Sequence, residues 1–243
     1  METNEDKTIY LLSNFTHQVI NPLNAVIGTL DNVIDGTVPS DRVRTRLNSA
    51  RGQLECTVSL VRNLAFFAQY TSDYATTVRN KSEKICVIPQ LLIEAAQFFQ
   101  EQGRLFGNDI EINDQWNQLA VKGNPDLLRQ VFMNIFDNGI KYGLRDEKIE
   151  VTYWLKVGTG EVIIEIAGKS VGYNTSEDIF GLGTRGRAAQ AKTSSGSGIG
   201  LHICKLIVES VFSGKIQAEH SRASRVTKFI IWLPGGFNNT AKT

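Results

Sequence analysis

An imidazole on the wet face of a helix is the first candidate for chemistry in this sequence. His17 lies in the polar stripe Asn14, His17, Gln18, Asn21, Asn24, Gly28, Asp31 and Asp35, which repeats at helical spacing opposite an apolar seam. A neutral imidazole offers a nucleophilic nitrogen at physiological pH. Asn21 falls one turn beyond it on the same face. Pro22, in mid-helix, removes the hydrogen bond to the Gln18 carbonyl and bends the chain, at a cost of about 3 kcal/mol. A second candidate is the run Asn134-Ile-Phe-Asp-Asn138-Gly-Ile-Lys141-Tyr142, in which Asn134, Asn138 and Lys141 are spaced by four and three and form one polar edge. The other side of that helix, with Leu127, Leu128, Val131, Phe132 and Ile135, belongs to a core. A third is the turn Gly196-Ser-Gly198-Ile-Gly200-Leu201. It enters a helix and presents backbone N–H groups to an anion with no side chains in the way.

Two kinds of scaffold are predicted to position these groups. From residue 7 to about 72 the residues Ile9, Leu12, Thr16, Val19, Leu23, Val26, Leu30 and Val33, then Val43, Leu47, Ala50, Leu54, Thr57, Val61, Leu64 and Ala68, step by three and four. Ile20, Ile27 and Ile34 widen the first stripe, and Gly36 to Ser40 breaks the pattern with a C-cap glycine, a proline and an N-cap serine. The expectation is a helical hairpin over 1–75 that completes its core as a homodimeric four-helix bundle. Over 76–243 the period changes. Strands are expected at 84–88, 109–112, 119–122, 148–156, 161–167, 215–219 and 226–233. Helices are expected from Pro89 to Gly103, from Asn124 or Asp126 to Asn138, and from Gly200 to Phe212, with a long polar stretch at 168–197. That order predicts an α+β chain, the hairpin followed by an α/β sandwich with a mixed sheet.

Composition narrows the partners. Lys plus Arg number 26 against 25 Asp plus Glu, so no net field exists to hold nucleic acid or an acidic membrane surface. Three cysteines, Cys56, Cys86 and Cys204, with no C-x-x-C pair, suggest neither a disulfide framework nor a zinc site. With no apolar run near 18 residues and a polar N-terminus, the expected setting is cytoplasmic, with no membrane segment in this chain.

The segment from Phe15 to Gly28, around His17, Asn21 and Pro22, resembles the H-box of sensor histidine kinases. The run from Asn134 to Tyr142 resembles their N-box, Phe180 an F-box anchor, and Gly196 to Lys205 their G2 box, in the family's order. The resemblance implies a dimerising histidine-phosphotransfer hairpin followed by an ATP-binding domain of the Bergerat, or GHKL, type. It implies autophosphorylation of His17 from ATP and transfer to the receiver domain of a response regulator. Asn138 would hold magnesium, Lys141 would contact phosphate, Asn134 would make a second phosphate or metal contact, and Tyr142 would lie beside the nucleotide. Arg185, Arg187 or Lys192 would approach phosphate from a lid, and Asn21 would position water for dephosphorylation of the regulator. Two departures stand out. Gln18 replaces the acid that usually follows the histidine, and it cannot accept a proton. In the G1 box, only Gly172 is kept, and Gly168 stands where the family has an aspartate that accepts from the adenine amino group. This leaves open loss of ATP binding, relaxed adenine selectivity, or a substitute acceptor from water or backbone. The alternative is a histidine phosphotransfer protein or pseudokinase, relaying phosphate or acting as a regulator phosphatase. His202 and His220 are expected to be structural. The length leaves no room for a sensor, so either the sequence is an excised core or input comes from a separate sensory partner.

Overall fold

The computed structural model describes residues 4–71, 84–113, 118–174, 176–184, 186–192 and 198–239. The chain divides into two compact units, with the division after residue 74.

The first unit is a hairpin of α1 (Asn4–Ile34) and α2 (Ser40–Thr71), with Pro22 inside α1. Gly36 ends α1 at a φ of +66°. Its N–H donates to the Val33 carbonyl and the next N–H, of Thr37, donates to that of Asn32, the paired bonds of a Schellman cap. The predicted turn therefore holds for the expected reason. The seam is narrower than its periodicity suggests. Phe15, Val26, Ala50, Thr57, Asn63 and Phe66 are buried, whereas Thr16, Leu30, Leu47, Leu54 and Val61 stay exposed. Ile20, Ile27 and Ile34 are exposed as well, Ile34 by 79%.

The second unit contains β1 (Ile85–Val87), α3 (Ile88–Phe106), β2 (Ile110–Ile112), β3 (Leu119–Lys122), α4 (Pro125–Tyr142), β4 (Ile149–Lys156), β5 (Glu161–Lys169), α5 (Arg187–Lys192), α6 (Gly200–Leu206), β6 (Lys215–Ser221), β7 (Val226–Leu233) and β8 (Phe237–Asn238). The main sheet has the order β2-β4-β5-β7-β6, with β2 parallel to β4 and the other pairs antiparallel. A small sheet, β1-β3-β8, stands apart. Alternation along the central strands buries Val162, Ile164 and Ile166 on β5 and Phe229, Ile231 and Leu233 on β7. Leu92 on α3, Leu128, Phe132 and Phe136 on α4 and Ile203 on α6 are buried too. The expected α/β sandwich is present.

Several boundaries move. The helix α3 does not stop at Gly103 but continues to Phe106, and Gly107 ends it at a φ of +71°. A side chain at 103 would strike the Asn108 carbonyl, so Gly103 is there for close approach rather than as a stop. The helix α4 starts where Asn124 Oδ1 accepts from the Asp126 N–H at 3.0 Å, and runs beyond Asn138 to Tyr142. The strand β5 runs two residues beyond Ala167, so Gly168 is a strand residue. The short helix α5 and the edge strand β8 were not anticipated, and α6 widens into a π-helical turn at Ile207–Val211. Cys86 and Cys204 are buried free thiols, each pushed up to about 12 by burial. The side chain of Cys56 lies outside the described residues.

Asn108 is the polar pin of the α3–β2 corner. Its buried amide donates to the Leu144 and Glu147 carbonyls at 2.7 and 2.9 Å. Asn108→Ala strands both acceptors, and urea denaturation is expected to show a loss of about 2 kcal/mol in stability.

Candidate functional site

The polar edge of α4 is assembled from residues that bond to each other before any ligand arrives. Gln130 Nε2 donates to Asn134 Oδ1 at 3.2 Å, and Asn134 Nδ2 donates to the Gly200 carbonyl at 3.2 Å. Asn134 is therefore a buried clasp between α4 and the first turn of α6. Cys204 Sγ, facing the Val131 carbonyl at 3.6 Å, adds a second contact between the same helices. Asn138 Nδ2 donates to the Asn134 carbonyl at 2.9 Å, leaving its own Oδ1 as the atom suited to a hard cation. Among the described residues no group of three His, Cys, Asp or Glu side chains could hold a metal. An asparagine oxygen completed by phosphate and water fits magnesium, which keeps few protein ligands.

Lys141 does not project freely from this edge. It forms a 2.6 Å ion pair with Asp137 one turn back, and both side chains are largely screened from water. Asp137 Oδ1 is buried with no hydrogen-bond partner. An acceptor of this kind, beside a predicted phosphate contact, is where a donor from water or ligand belongs. Asp137 was not singled out from sequence, although its i,i+4 spacing to Lys141 was legible.

The C-terminal end of α4 is stitched to the exit of β5. The Tyr142 carbonyl accepts from Val171 N–H at 3.0 Å, the Leu144 N–H donates to the Lys169 carbonyl at 2.9 Å, and Gly143 bridges Ser170. Gly172 turns there with a φ of +71°, and His220 packs where a Cβ would stand. Lys169 points the other way and pairs with Glu147 at 2.8 Å, so it adds nothing to an anion site here.

The polar stretch between β5 and α6 is closed on itself at two points. Gly183 N–H donates to the Gly198 carbonyl at 3.1 Å, and the Phe180 carbonyl meets His202 Nδ1 at 3.0 Å. His202 thus anchors the predicted F-box residue, in keeping with a structural role. On α5, Arg187 faces Glu177 at 3.8 Å, and Lys192 donates to the Gly143 carbonyl. Loss of surrounding water, and then the charge of Arg145, hold Lys192 below the usual lysine range. These two of the three lid cations predicted to approach phosphate face protein groups. Arg185 and Gly196 lie outside the described residues. The first turn of α6, with Gly200 and Leu201, follows Ile199, which provides no side-chain cap, so its leading N–H groups have no side-chain acceptor at the cap. In the hairpin, His17 and Asn21 are exposed on α1, as predicted, while the side chain of Gln18 is outside the described residues.

Residues 123–236 match the family of histidine kinase-, DNA gyrase B-, and HSP90-like ATPases. The sensor protein SrrB of Staphylococcus aureus is 23% identical over 227 residues, which cover 92% of this chain and 37% of that protein. The chain thus spans little more than a third of the curated relatives it matches. Among solved structures, histidine kinase ThkA in complex with the response regulator protein TrrA superposes with a TM-score of 0.58 at 19% identity, over 93% of this chain and 61% of that one. Full-length ShkA in complex with AMPPNP gives 0.60 at 17% identity, over 99% of this chain and 47% of that one. Residues 123–236 thus carry the ATPase fold of that family, and the order of elements and these matches support a histidine kinase catalytic core. Among the described residues no helix is long and apolar enough to cross a membrane.

Gly198 is a close backbone-to-backbone approach in this region. Its φ is +68°, and a Cβ there would overlap the Gly183 backbone. Gly198→Ala is expected to cost at least about 1 kcal/mol in thermal unfolding and to expose 180–184 to limited proteolysis.

Proposed function

We propose that the chain is a protein-histidine kinase that phosphorylates His17 from Mg-ATP and passes the phosphoryl group to an aspartate of a response regulator. The observation that carries this reading is the Asn134 clasp, which brings the N-box helix against Gly200 at the start of α6. That pairing supplies backbone donors, an asparagine oxygen and a lysine to one triphosphate. Magnesium would neutralise phosphate charge when bound, through Asn138 Oδ1. Lys141 exchanges its carboxylate partner for phosphate oxygen, and Asp137 is left to accept from water or ligand. The His17 imidazole attacks the γ-phosphorus, the bond to the β-phosphate oxygen breaks, and ADP leaves. The phosphorus then moves from nitrogen to a carboxylate oxygen of the regulator. With Gln18 next to it, His17 gets a hydrogen-bonding neighbour but no base, so catalysis rests on positioning and charge neutralisation. The complex of ThkA with TrrA supports a response regulator as the partner, and AMPPNP in ShkA supports a nucleotide in the second unit. Asn21, exposed one turn from His17, is suited to hold water for dephosphorylation of that regulator.

The hairpin supports a homodimer. Ile20, Ile27 and Ile34 on α1, and Leu47, Leu54 and Val61 on α2, are exposed at intervals of seven. Two matched heptad stripes on one hairpin are what a second copy covers in a four-helix bundle. A separate sensory partner and a cytoplasmic setting accompany this reading.

Incubation with γ-labelled ATP and magnesium is expected to label wild type and leave His17→Ala at background, with both showing the same helical circular dichroism. Persistent labelling of His17→Ala would remove that residue from its role. Absence of labelling in wild type, together with labelling of His17 by a phosphorylated receiver domain, would favour the phosphotransfer alternative. In light scattering, Ile27→Lys with Ile34→Lys is expected to convert a dimer to a monomer.

A further inference from the structure

The missing carboxylate at Gly168 has a neighbourhood of its own. The sheet register places Ile149, Gly168, Thr227 and His220 in one row across β4, β5, β7 and β6. By alternation this row shares its face with the buried Ile166, Phe229 and Ile216, so it looks toward the helices. A Cβ built on Gly168 would lie 3.4 Å from the Lys148 carbonyl and 3.5 Å from Ile149 Cγ1, ordinary contacts, so the position is open rather than blocked.

Next to the bare backbone runs a chain of polar hydrogens. Gly172 N–H donates to Ser170 Oγ at 3.1 Å, Ser170 Oγ meets Thr227 Oγ1 at 2.6 Å, and Thr227 Oγ1 meets His220 Nδ1 at 2.9 Å. A cavity of about 260 Å³ adjoins the His220 end of this chain, with Val171, Tyr173, Glu177, Arg187 and Arg222 also in its wall. Apart from the Gly172 N–H, which only donates, every member of this chain can face either way. With a hydrogen on His220 Nδ1, that nitrogen donates to Thr227, Thr227 donates to Ser170, and the Ser170 hydroxyl is left to donate outward. With Nδ1 bare, the hydroxyls run in reverse and Ser170 shows a lone pair. A carboxylate has no such freedom, because when ionised it only accepts and so selects an amino group.

We propose that the Ser170–Thr227–His220 chain, beside Gly168, reads the base of the bound nucleotide and admits both 6-amino and 6-oxo purines, so that ATP and GTP are taken with comparable affinity. An adenine amino group donates to the Ser170 lone pair, and a guanine carbonyl accepts from the Ser170 hydroxyl, with the His220 tautomer switching to suit. This rests on the nucleotide-binding reading above and on the resemblance by which Gly168 stands where the family has its adenine-contacting aspartate.

Calorimetric titration of the full chain with Mg-ATP and with Mg-GTP tests it. Wild type is expected to bind both within about fivefold of each other, and Gly168→Asp to favour ATP by tenfold or more, because the new carboxylate repels the guanine carbonyl. Thr227→Val interrupts the chain without touching Gly168, and is expected to weaken both nucleotides by a similar factor of about three to ten. Wild type that prefers ATP by about thirtyfold or more overturns the inference and leaves the kinase reading standing, as does Thr227→Val with unchanged affinities. Binding of neither nucleotide by wild type at millimolar concentration overturns both.

Discussion

A single buried amide governs the second unit. Asn134 takes a hydrogen from Gln130, gives one to the Gly200 carbonyl, and offers its own carbonyl to Asn138. Each of those bonds lies in a setting where an unmade one is costly, so the three partners cannot move separately. The start of α6 is held at α4, the side chain of Asn138 is given its orientation, and the segment between β5 and α6 must close between two fixed ends. The glycines at 198 and 200 follow from this. One turns with positive φ against the Gly183 backbone, and the other comes close to the Asn134 side chain.

Around that amide, charge is paired internally. Lys141 with Asp137, Arg187 with Glu177 and Lys169 with Glu147 all find partners within the unit. A protein with a net charge of +1 has no long-range field to gather an anion. On the proposed reading, local exchange of carboxylate for phosphate at Lys141 would supply affinity that no long-range field provides. Asp137 differs from the other carboxylates in that one oxygen is satisfied and one is buried without a partner.

Periodicity made much of this architecture legible. The two helices of the hairpin, the Schellman glycine at 36, the β4–β5 hairpin and the exposure of His17 all follow from local pattern. So does the polar edge of α4, because helical spacing alone brings 134, 138 and 141 together. What local pattern does not contain is register. Ser170 and Thr227 are separated by 57 positions and meet only because β5 and β7 pair with Gly168 opposite Thr227. Nothing in the run Ala167-Gly-Lys-Ser indicates that β5 continues, since the ladder from both neighbours holds Gly168 in the strand. Gly103 misleads for a related reason: its role is a close approach to the Asn108 carbonyl, a tertiary fact with the local signature of a stop. The width of the hairpin seam is likewise a matter of which helices are at hand, and one hairpin by itself buries only part of each stripe.

The contact between Lys192 on α5 and the Gly143 carbonyl gives the region a resting position. An ammonium on a neutral carbonyl is held less firmly than one on an anionic oxygen. The helix that bears Lys192 is therefore parked rather than locked, with its cation kept short of water at the rim of α4. An anionic oxygen would give that cation a stronger acceptor than the carbonyl does. Such an exchange by one side chain is a motion on the scale of rotamers and not of domains.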